Sequence, residues 1–201
     1  MAITTYAELQ TSVANWLHRG DLTSIIPDLI MLAEERIFRK IRAREMETAL
    51  SETIASGVIT VPSSYIALKS VYLDGTPTTK LKRSTVAQIY ENYPTRSSDT
   101  KPKCIAREGG NFIFGPYPDA AYTVKGIYYA RLTSIATSAN ALFTANPDLY
   151  LMATLCEAAP YIKDDNRVAI WEAKFAQIKA AIEEENDEEE RSGGGMHVRT
   201  A

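Results

Sequence analysis

The sequence predicts an α+β protein that is mainly a helical bundle, with four helices, two from each end of the chain, and an inserted small antiparallel β subdomain. Two observations lead to this fold class. Apolar residues recur at steps of three and four near both ends of the chain, which is typical of amphipathic helices. From about residue 46 to 138 they alternate instead, between turns that contain glycine and proline. We therefore expect one domain over residues 1–191, with helices at about 5–44 and 146–191, and a flexible C-terminal tail at 192–201.

The first two predicted helices each have an apolar face and a recognisable start. Thr5 and Glu8 fit a capping box, in which the threonine side chain accepts from a helix amide and the glutamate reaches back. The second helix is expected to begin near Thr23 or Ser24, because Pro27 is tolerated in a first helical turn. The residues predicted to be buried are Leu9, Val13, Trp16 and Leu17 in the first helix and Ile26, Leu29 or Ile30, Ala33, Ile37 and Ile41 in the second.

The middle of the chain predicts short strands joined by turns. Asp74-Gly75 and Gly109-Gly110 are hairpin signals, and residues 122–131 alternate between two faces. The predicted elements are strands at 58–61, 66–73, 79–82, 104–107, 111–114 and 122–131 and a short helix at 84–93.

Two helices follow the β insertion. Asn146 and Pro147 fit an N-cap with proline at the first helical position. Four amphipathic helices can bury their apolar faces only against one another, which is why a bundle is predicted. The predicted buried residues are Leu149, Met152, Ala153, Cys156 and Ala159 in the third helix and Val168, Trp171, Phe175, Ile178 and Ile182 in the fourth.

Composition and motifs argue against an enzyme. The 201-residue chain has a net charge of −3, which does not favour a general nucleic-acid-binding protein. Its two cysteines, Cys104 and Cys156, lie far apart in no metal-ligand spacing, which suits a reducing compartment. The histidines His18 and His197 have no nucleophile context, and no phosphate-binding, dinucleotide or zinc motif occurs. We expect no catalysis, no cofactor, no metal and no membrane-spanning segment.

The neighbouring acids Glu34 and Glu35 could be interpreted as a pair of catalytic carboxylates. They stand beside Arg36 and Arg39 on a predicted helix, however, at spacings that allow ion pairs along the helix surface. Intrahelical ion pairs are therefore the preferred interpretation of both glutamates.

Two charged clusters leave functional alternatives open. The basic residues Arg36, Arg39, Lys40, Arg42 and Arg44 form either a solvated helix face or a surface toward another subunit or passing nucleic acid. The acidic stretch at 183–190 is either a frayed helix end or a surface for a basic partner, because negative charge is unfavourable at a helix C-terminus. The opposite signs of the two clusters are compatible with self-association into a ring.

The end of the chain is a candidate docking peptide. Its three glycines separate a short basic and apolar segment from the last helix, so that the segment needs a partner surface to become buried. A frayed terminus is the alternative. The tail residues are Gly193, Gly194, Gly195, Met196, His197, Val198 and Arg199.

The sequence resembles the head-to-tail adaptor proteins, or connectors, of tailed bacteriophages, which are similar to the tail accessory factors of short-tailed phages. The likeness covers both helical ends well and the β middle only loosely, through VPSSY at 61–65. The matching segments at the ends are ITTYAELQ at 3–10, VANWLHR at 13–19, IPDLIMLAEERI at 26–37, RAREME at 42–47 and SGGGMHVR at 192–199.

The resemblance implies a structural virion protein of the phage neck, assembled in the host cytoplasm. It implies a ring of 12 copies below the portal, which joins the portal to the tail nozzle or tail fibre proteins while DNA passes through the bore. It also implies that the tail at 193–199 extends onto the portal or a neighbouring adaptor. The alternative is a monomeric binding or regulatory module that uses the β insertion to hold a peptide or ligand.

Overall fold

The computed structural model describes residues 3–97, 100–162 and 167–192, and their side chains as far as residue 190. The chain divides into two compact units. One unit is Glu47–Arg131, which we call the β unit. The other combines Met1–Met46 with Leu132–Ala201, and we call it the helical unit. The β unit is therefore an insertion between the two parts of the helical unit.

The described residues form six α-helices and two sheets of four strands each. In chain order the helices are α1 (Tyr6–Leu17), α2 (Ile26–Lys40), α3 (Val86–Asn92), α4 (Ala141–Ala145), α5 (Pro147–Ile162) and α6 (Val168–Ser192). The strands are β1 (Glu47–Thr53), β2 (Val58–Thr60), β3 (Tyr65–Leu73), β4 (Thr79–Lys80), β5 (Lys82–Arg83), β6 (Cys104–Glu108), β7 (Asn111–Gly115) and β8 (Thr123–Ala130). Short 3₁₀ turns lie at Gly20–Leu22 and Arg44–Met46.

Helix α5 is the centre of the helical unit. It packs against α1, α2 and α6, and every residue from 149 to 156 is buried. The predicted apolar stripe of this helix is therefore correct but incomplete, because Tyr150, Leu151 and Leu155 are buried on its other sides. A helix that is apolar all round needs neighbours on all sides to remove it from water. Its burial stabilises the unit by about 1.5–3 kcal/mol for each large apolar side chain.

The predicted N-caps of α1 and α2 have different outcomes in the structure. The capping box of α1 is confirmed, since the Thr5 side chain accepts from the Glu8 amide and the Glu8 carboxylate accepts from the Thr5 amide. The predicted cap of α2 is wrong: its N-cap is Ile25, and the Thr23 hydroxyl donates to the Gly20 carbonyl at 2.9 Å. The predicted apolar stripe of α2 is buried throughout. Trp16 was predicted to be buried with its neighbours but is 44% exposed.

The β unit has three layers. The first sheet has the strand order β1-β8-β3-β4, and the second has β2-β7-β6-β5. Leu68, Val71 and Val124 of the first sheet share one apolar cluster with Ile105 and Phe112 of the second. Helix α3 covers the opposite face of the second sheet, where its Ile89 packs with Cys104, Ala106 and Ile113. The two faces of β6 thus contribute to two separate apolar layers.

Two irregularities define how β3 pairs with β8. Ala67 faces Tyr129 and Leu68 faces Tyr128, but the next pair is Ser70 with Ile127, so that Lys69 is an extra residue. A similar shift lies between Tyr65 and Ala67. Opposite the bulge, a Cβ atom on Gly126 would lie 2.2 Å from the Ser70 carbonyl oxygen. Only glycine fits at that position.

The predicted fold class is wrong. The protein is not mainly a bundle of four helices, because its described residues form six helices and two four-stranded sheets, with 46% helix and 23% strand. The β insertion is also not purely antiparallel, since β5 pairs with β6 in parallel. The error has two physical sources. Strand β1 buries only Leu50 and gives no alternating signal, and α4 is only five residues long, too short to show a helical period.

Several local predictions in the β unit are confirmed. Strands β6 and β7 form the expected hairpin across Gly109 and Gly110, with Glu108 opposite Asn111. Strand β8 alternates as predicted, with Val124 and Tyr128 buried. The Asp74-Gly75 hairpin is looser than a two-residue turn, because the first pair across it is Leu73 with Thr79.

Candidate functional site

Arg36, one of the predicted site residues, lies between α2, α5 and α6. Its Nη1 atom donates to Glu157 Oε1 at 3.0 Å and its Nη2 atom to Glu172 Oε2 at 2.5 Å. Its guanidinium carbon lies 4.8 Å from the centre of the Phe175 ring, and its side chain is 14% exposed. Arg36 therefore links three helices of the helical unit, and little of its charge is exposed at the surface.

This cluster perturbs two neighbouring ionisable groups. The hydrogen bond from Arg36 lowers the pKa of the Glu172 carboxyl, because it stabilises the charged form. Burial raises the pKa of the Cys156 thiol to about 11. The thiol is therefore protonated at neutral pH and has the character of an inert core residue rather than a nucleophile.

Arg42 and Arg44 close the end of α2 onto α6. Arg42 Nη1 donates to the Phe38 carbonyl at 2.8 Å and to the Ile41 carbonyl at 2.6 Å, and so neutralises carbonyls at the helix C-terminus. The Asn186 side chain accepts from the Arg44 amide at 3.1 Å, and the Arg44 side chain forms an ion pair with Glu189. At least two acids of the predicted acidic stretch thus have a basic partner within the chain, since Glu183 also pairs with Lys179 at 3.2 Å.

Arg39 and Lys40 are exposed residues of the basic cluster on α2 itself, and Arg44, which pairs with Glu189, is also exposed. The Arg39 side chain is 73% exposed, with its Nη2 atom 3.9 Å from Glu35 Oε2. Lys40 Nζ lies 5.9 Å from the centre of the Phe175 ring. On α6 the exposed acids Glu184, Glu185 and Glu188 have no ion-pair or hydrogen-bond partner in the described part of the chain. The helical unit therefore presents a basic surface on α2 and an acidic surface on α6.

Glu34 is a structural residue that the sequence interpretation missed. Its side chain is not in an ion pair along the helix but is 95% buried, accepting from Ser134 Oγ at 2.6 Å and from the Ile135 amide at 2.9 Å. Only Glu35 forms the expected contact within the helix, to Arg39. Glu34 fixes the segment that enters the helical unit after the β insertion. No local signal separates it from Glu35, since its partners lie about 100 residues away.

An exposed apolar surface lies where α1 ends and α6 begins. Trp16 and Ile170 are 44% and 57% exposed, and Trp171 is buried beneath them. They line an open cavity of about 550 Å³ together with Asn15, His18 and Arg167. Exposed aromatic surface of this kind is enriched at contacts between proteins. His18 belongs to this surface, at the left-handed end of α1, and not to a catalytic group.

The predicted docking tail lies outside the described residues. Gly193, Gly194, Gly195, Met196, His197, Val198 and Arg199 therefore keep the role predicted for them as a prediction. In residues 3–97, 100–162 and 167–192, no group of three or more His, Cys, Asp or Glu side chains is placed to hold a metal ion. None of the helices in the same ranges is long and apolar enough to cross a membrane.

Comparison with known proteins identifies the family. The model of the SU10 adaptor protein family matches residues 4–199, which include both structural units and most of the tail. No curated protein matches the chain. The family match confirms the resemblance that the helical ends and the tail indicate. The chain belongs to the SU10 adaptor protein family, whose members are structural adaptor proteins of bacteriophages.

Proposed function

We propose that this adaptor is a head-completion protein of the virion, which forms a ring below the portal, joins the portal to the tail nozzle and lines the DNA exit channel. The main support is the family match, because it spans residues 4–199 rather than one motif. We further propose 12 copies in the ring, contacts to nozzle or tail fibre proteins, and assembly in the host cytoplasm. The division at 1–191 and 192–201 then separates a ring-forming body from a docking tail.

Opposite charges on two helices support a contact between identical subunits. Arg39 and Lys40 on α2 are exposed, and Glu184 and Glu188 on α6 have no partner in the described part of the chain. A contact from one surface of a subunit to a different surface of the next is heterologous, and such contacts form a ring when the rotation between neighbours closes. The proposal therefore assigns the basic end of α2 to the acidic side of α6 in the neighbouring subunit.

A charge-swap experiment tests this contact. We expect Arg39→Glu with Lys40→Glu to weaken assembly on purified portal, because four like charges would then face one another. Adding Glu184→Lys and Glu188→Lys to the same chain should restore assembly. Sedimentation velocity of each variant mixed with portal measures the ring.

The charge swap also separates the two roles considered for the basic residues. A normal ring with impaired retention of packaged DNA would assign Arg39 and Lys40 to the channel instead of the subunit contact. Arg19→Glu is the control. Arg19 is exposed, follows α1 rather than lying on either helix of the proposed contact, and pairs with Asp21 at 2.6 Å.

The tail supports a docking function for a different reason. Its three glycines allow the following residues to leave the helix, while Met196 and Val198 offer apolar anchors and Arg199 a charge. Deleting residues 192–201 should leave the monomer folded but abolish its sedimentation with portal. Met196→Asp with Val198→Asp should have the same effect, and Thr200→Asp should not. Retained binding at full affinity after the deletion would contradict the docking role, and a monomer that stays monomeric with intact portal would contradict the ring.

A further inference from the structure

The charge of this protein is divided unequally between its units. The whole chain has a net charge of −3, yet residues 47–131 contain ten basic and seven acidic side chains and have a net charge of +3. The helical unit is correspondingly acidic. A weakly negative protein can therefore present a distinctly positive surface on its β unit, which the overall charge conceals.

Six cations without an ion pair among the described residues lie on or beside β4, the edge strand of the first sheet, and on or beside β5 and β6, the edge strand of the second sheet and its neighbour. Two other lysines of the unit have acidic partners, Lys69 with Glu47 and Lys125 with Asp74. The cations on and beside β4, β5 and β6 have no ion pair in the described part of the chain. This set consists of Lys80, Lys82, Arg83, Lys101, Lys103 and Arg107.

A cleft of about 280 Å³ opens beside these strands, between β3 of the first sheet and β6 of the second. Both irregularities of β3 lie beside it, and bulges are frequent where a strand is adapted to a site. Residues 65–68 line one wall, and Ile105, Ala106 and Phe112 line the other. Arg83, Ser84 and Arg107 complete the lining, and no carboxylate takes part in it.

The two arginines are held in place by contacts that leave part of each guanidinium unused. Arg83 Nη2 donates at 2.6 Å to the carbonyl of Lys69, the extra residue of the bulge. Arg107 Nε donates to the Gly109 carbonyl at 3.1 Å, and its guanidinium carbon lies 5.2 Å from the centre of the Tyr65 ring. Tyr65 is itself fixed by an edge-on contact with Phe112, at 5.3 Å between the ring centres.

We propose that this cleft binds the sugar-phosphate backbone of duplex DNA. Planar guanidiniums that are already oriented bind phosphate oxygens at low entropic cost, and a tyrosine platform keeps Arg107 in position. Lys80, Lys82 and Lys103 extend the positive surface beyond the cleft, as contacts to successive phosphates require. The proposal rests on the proposed function, which already places DNA in the channel, and deepens it by assigning the DNA contact to the β unit. It can be tested without portal, so its failure would leave the ring and portal contacts untouched.

The test is the salt dependence of binding to a fluorescent 30-base-pair duplex, measured by anisotropy between 50 and 200 mM NaCl. The plot of log affinity against log salt concentration has a negative slope, and each lost phosphate contact makes that slope shallower by about 0.9. Arg83→Gln with Arg107→Gln should therefore make the slope shallower by about 2. Between 50 and 200 mM NaCl the affinity of this variant for DNA should fall by a factor about ten times smaller than that of the parent. An unchanged slope and affinity would overturn the proposal.

A matched variant on α2 shows which basic surface meets DNA. Arg39→Gln with Lys40→Gln removes the same two charges from the helical unit, and we expect it to bind like the parent. An equal or greater loss in this variant would overturn the assignment to the cleft. The release of DNA by 10 mM inorganic phosphate at constant ionic strength would show that the ligand is a free anion and would also overturn it.

A second variant keeps the test valid if the arginine changes unfold the β unit. Lys82→Gln with Lys103→Gln removes two exposed lysines whose side chains have no partner in the described part of the chain. Far-ultraviolet circular dichroism should show a normal fold for this variant. We expect its salt slope to become shallower by about 2 as well, and an unchanged slope in the folded variant would contradict the proposed surface.

Discussion

Removal of the Arg36 side chain is the sharpest test of how the helical unit is held together. Arg36→Ala removes one charge-assisted hydrogen bond to Glu157, another to Glu172, and the contact with the Phe175 ring. The bond to Glu157 is the stronger one, at about 1.5–2 kcal/mol, because that carboxylate is only 26% exposed. The hydrogen bond to the half-exposed Glu172 and the contact with the Phe175 ring each contribute about 0.5–1 kcal/mol more. We expect the free energy of unfolding to fall by about 3 kcal/mol.

Tryptophan fluorescence during urea unfolding is the appropriate assay, since the two tryptophans of the chain, Trp16 and Trp171, both lie in the helical unit. With a slope of about 2 kcal/mol per molar urea, the midpoint should fall by about 1.5 M. Arg39→Ala is the matched control, one turn further along α2 and 73% exposed, and should change the free energy of unfolding by less than about 0.5 kcal/mol. An equal fall in the free energy of unfolding for Arg36→Ala and Arg39→Ala would refute the reasoning. Recovery of most of the loss by Arg36→Met would assign it to packing rather than to charge.

Three further predictions concern buried and ionisable groups of the helical unit. Glu34→Ala should lower the free energy of unfolding by about 3 kcal/mol, because it leaves a buried amide without an acceptor, while Glu35→Ala should change it by less than about 0.5 kcal/mol in the same urea assay. The lowered pKa of Glu172 makes a stability contribution that is complete above its ordinary value of 4.5 and is lost as the pH falls through its value in the folded protein. The gap in unfolding midpoint between wild type and Arg36→Ala should accordingly narrow from pH 7 to pH 3, and a constant gap would contradict this. Cys156, with its pKa raised to about 11, should not react with a disulfide reagent at pH 8 until urea unfolds the chain, and rapid reaction in the native protein would contradict its burial.

The sequence predicts the buried residues of a helix best where apolar residues recur along one face only. The predicted stripe of α2 from Ile26 to Ile41 is buried at every position, because charged residues mark much of the opposite face, although Met31 and Leu32 are exposed and Phe38 is buried outside the stripe. The stripe of α5 is found only in part, since a helix enclosed on all sides has no polar face to define its phase. Strand β1, with Leu50 as its one buried residue, gives no alternation at all, and this is one reason why the described residues contain more strands than the six predicted.

The candidate site could be predicted only as a set of charges. Arg36 and Arg39 have the same chemistry and lie three positions apart, yet one is enclosed by α5 and α6 and the other is exposed. Glu34 and Glu35 differ in the same way. These differences depend on residues 100 or more positions away, such as Glu157 and Ser134, which no local pattern includes. The cleft of the β unit likewise depends on the two bulges of β3, which the sequence does not indicate.

The close approach at Gly126 has a consequence for how the chain folds. A slip of β8 by one residue along β3 would place Lys125 or Ile127 against the Ser70 carbonyl, where there is no space for a side chain. The close approach lies between the two inner strands of the first sheet, β8 and β3. A one-residue slip is therefore blocked by the backbone itself, so the register of this sheet does not depend on its cross-strand side-chain pairs alone.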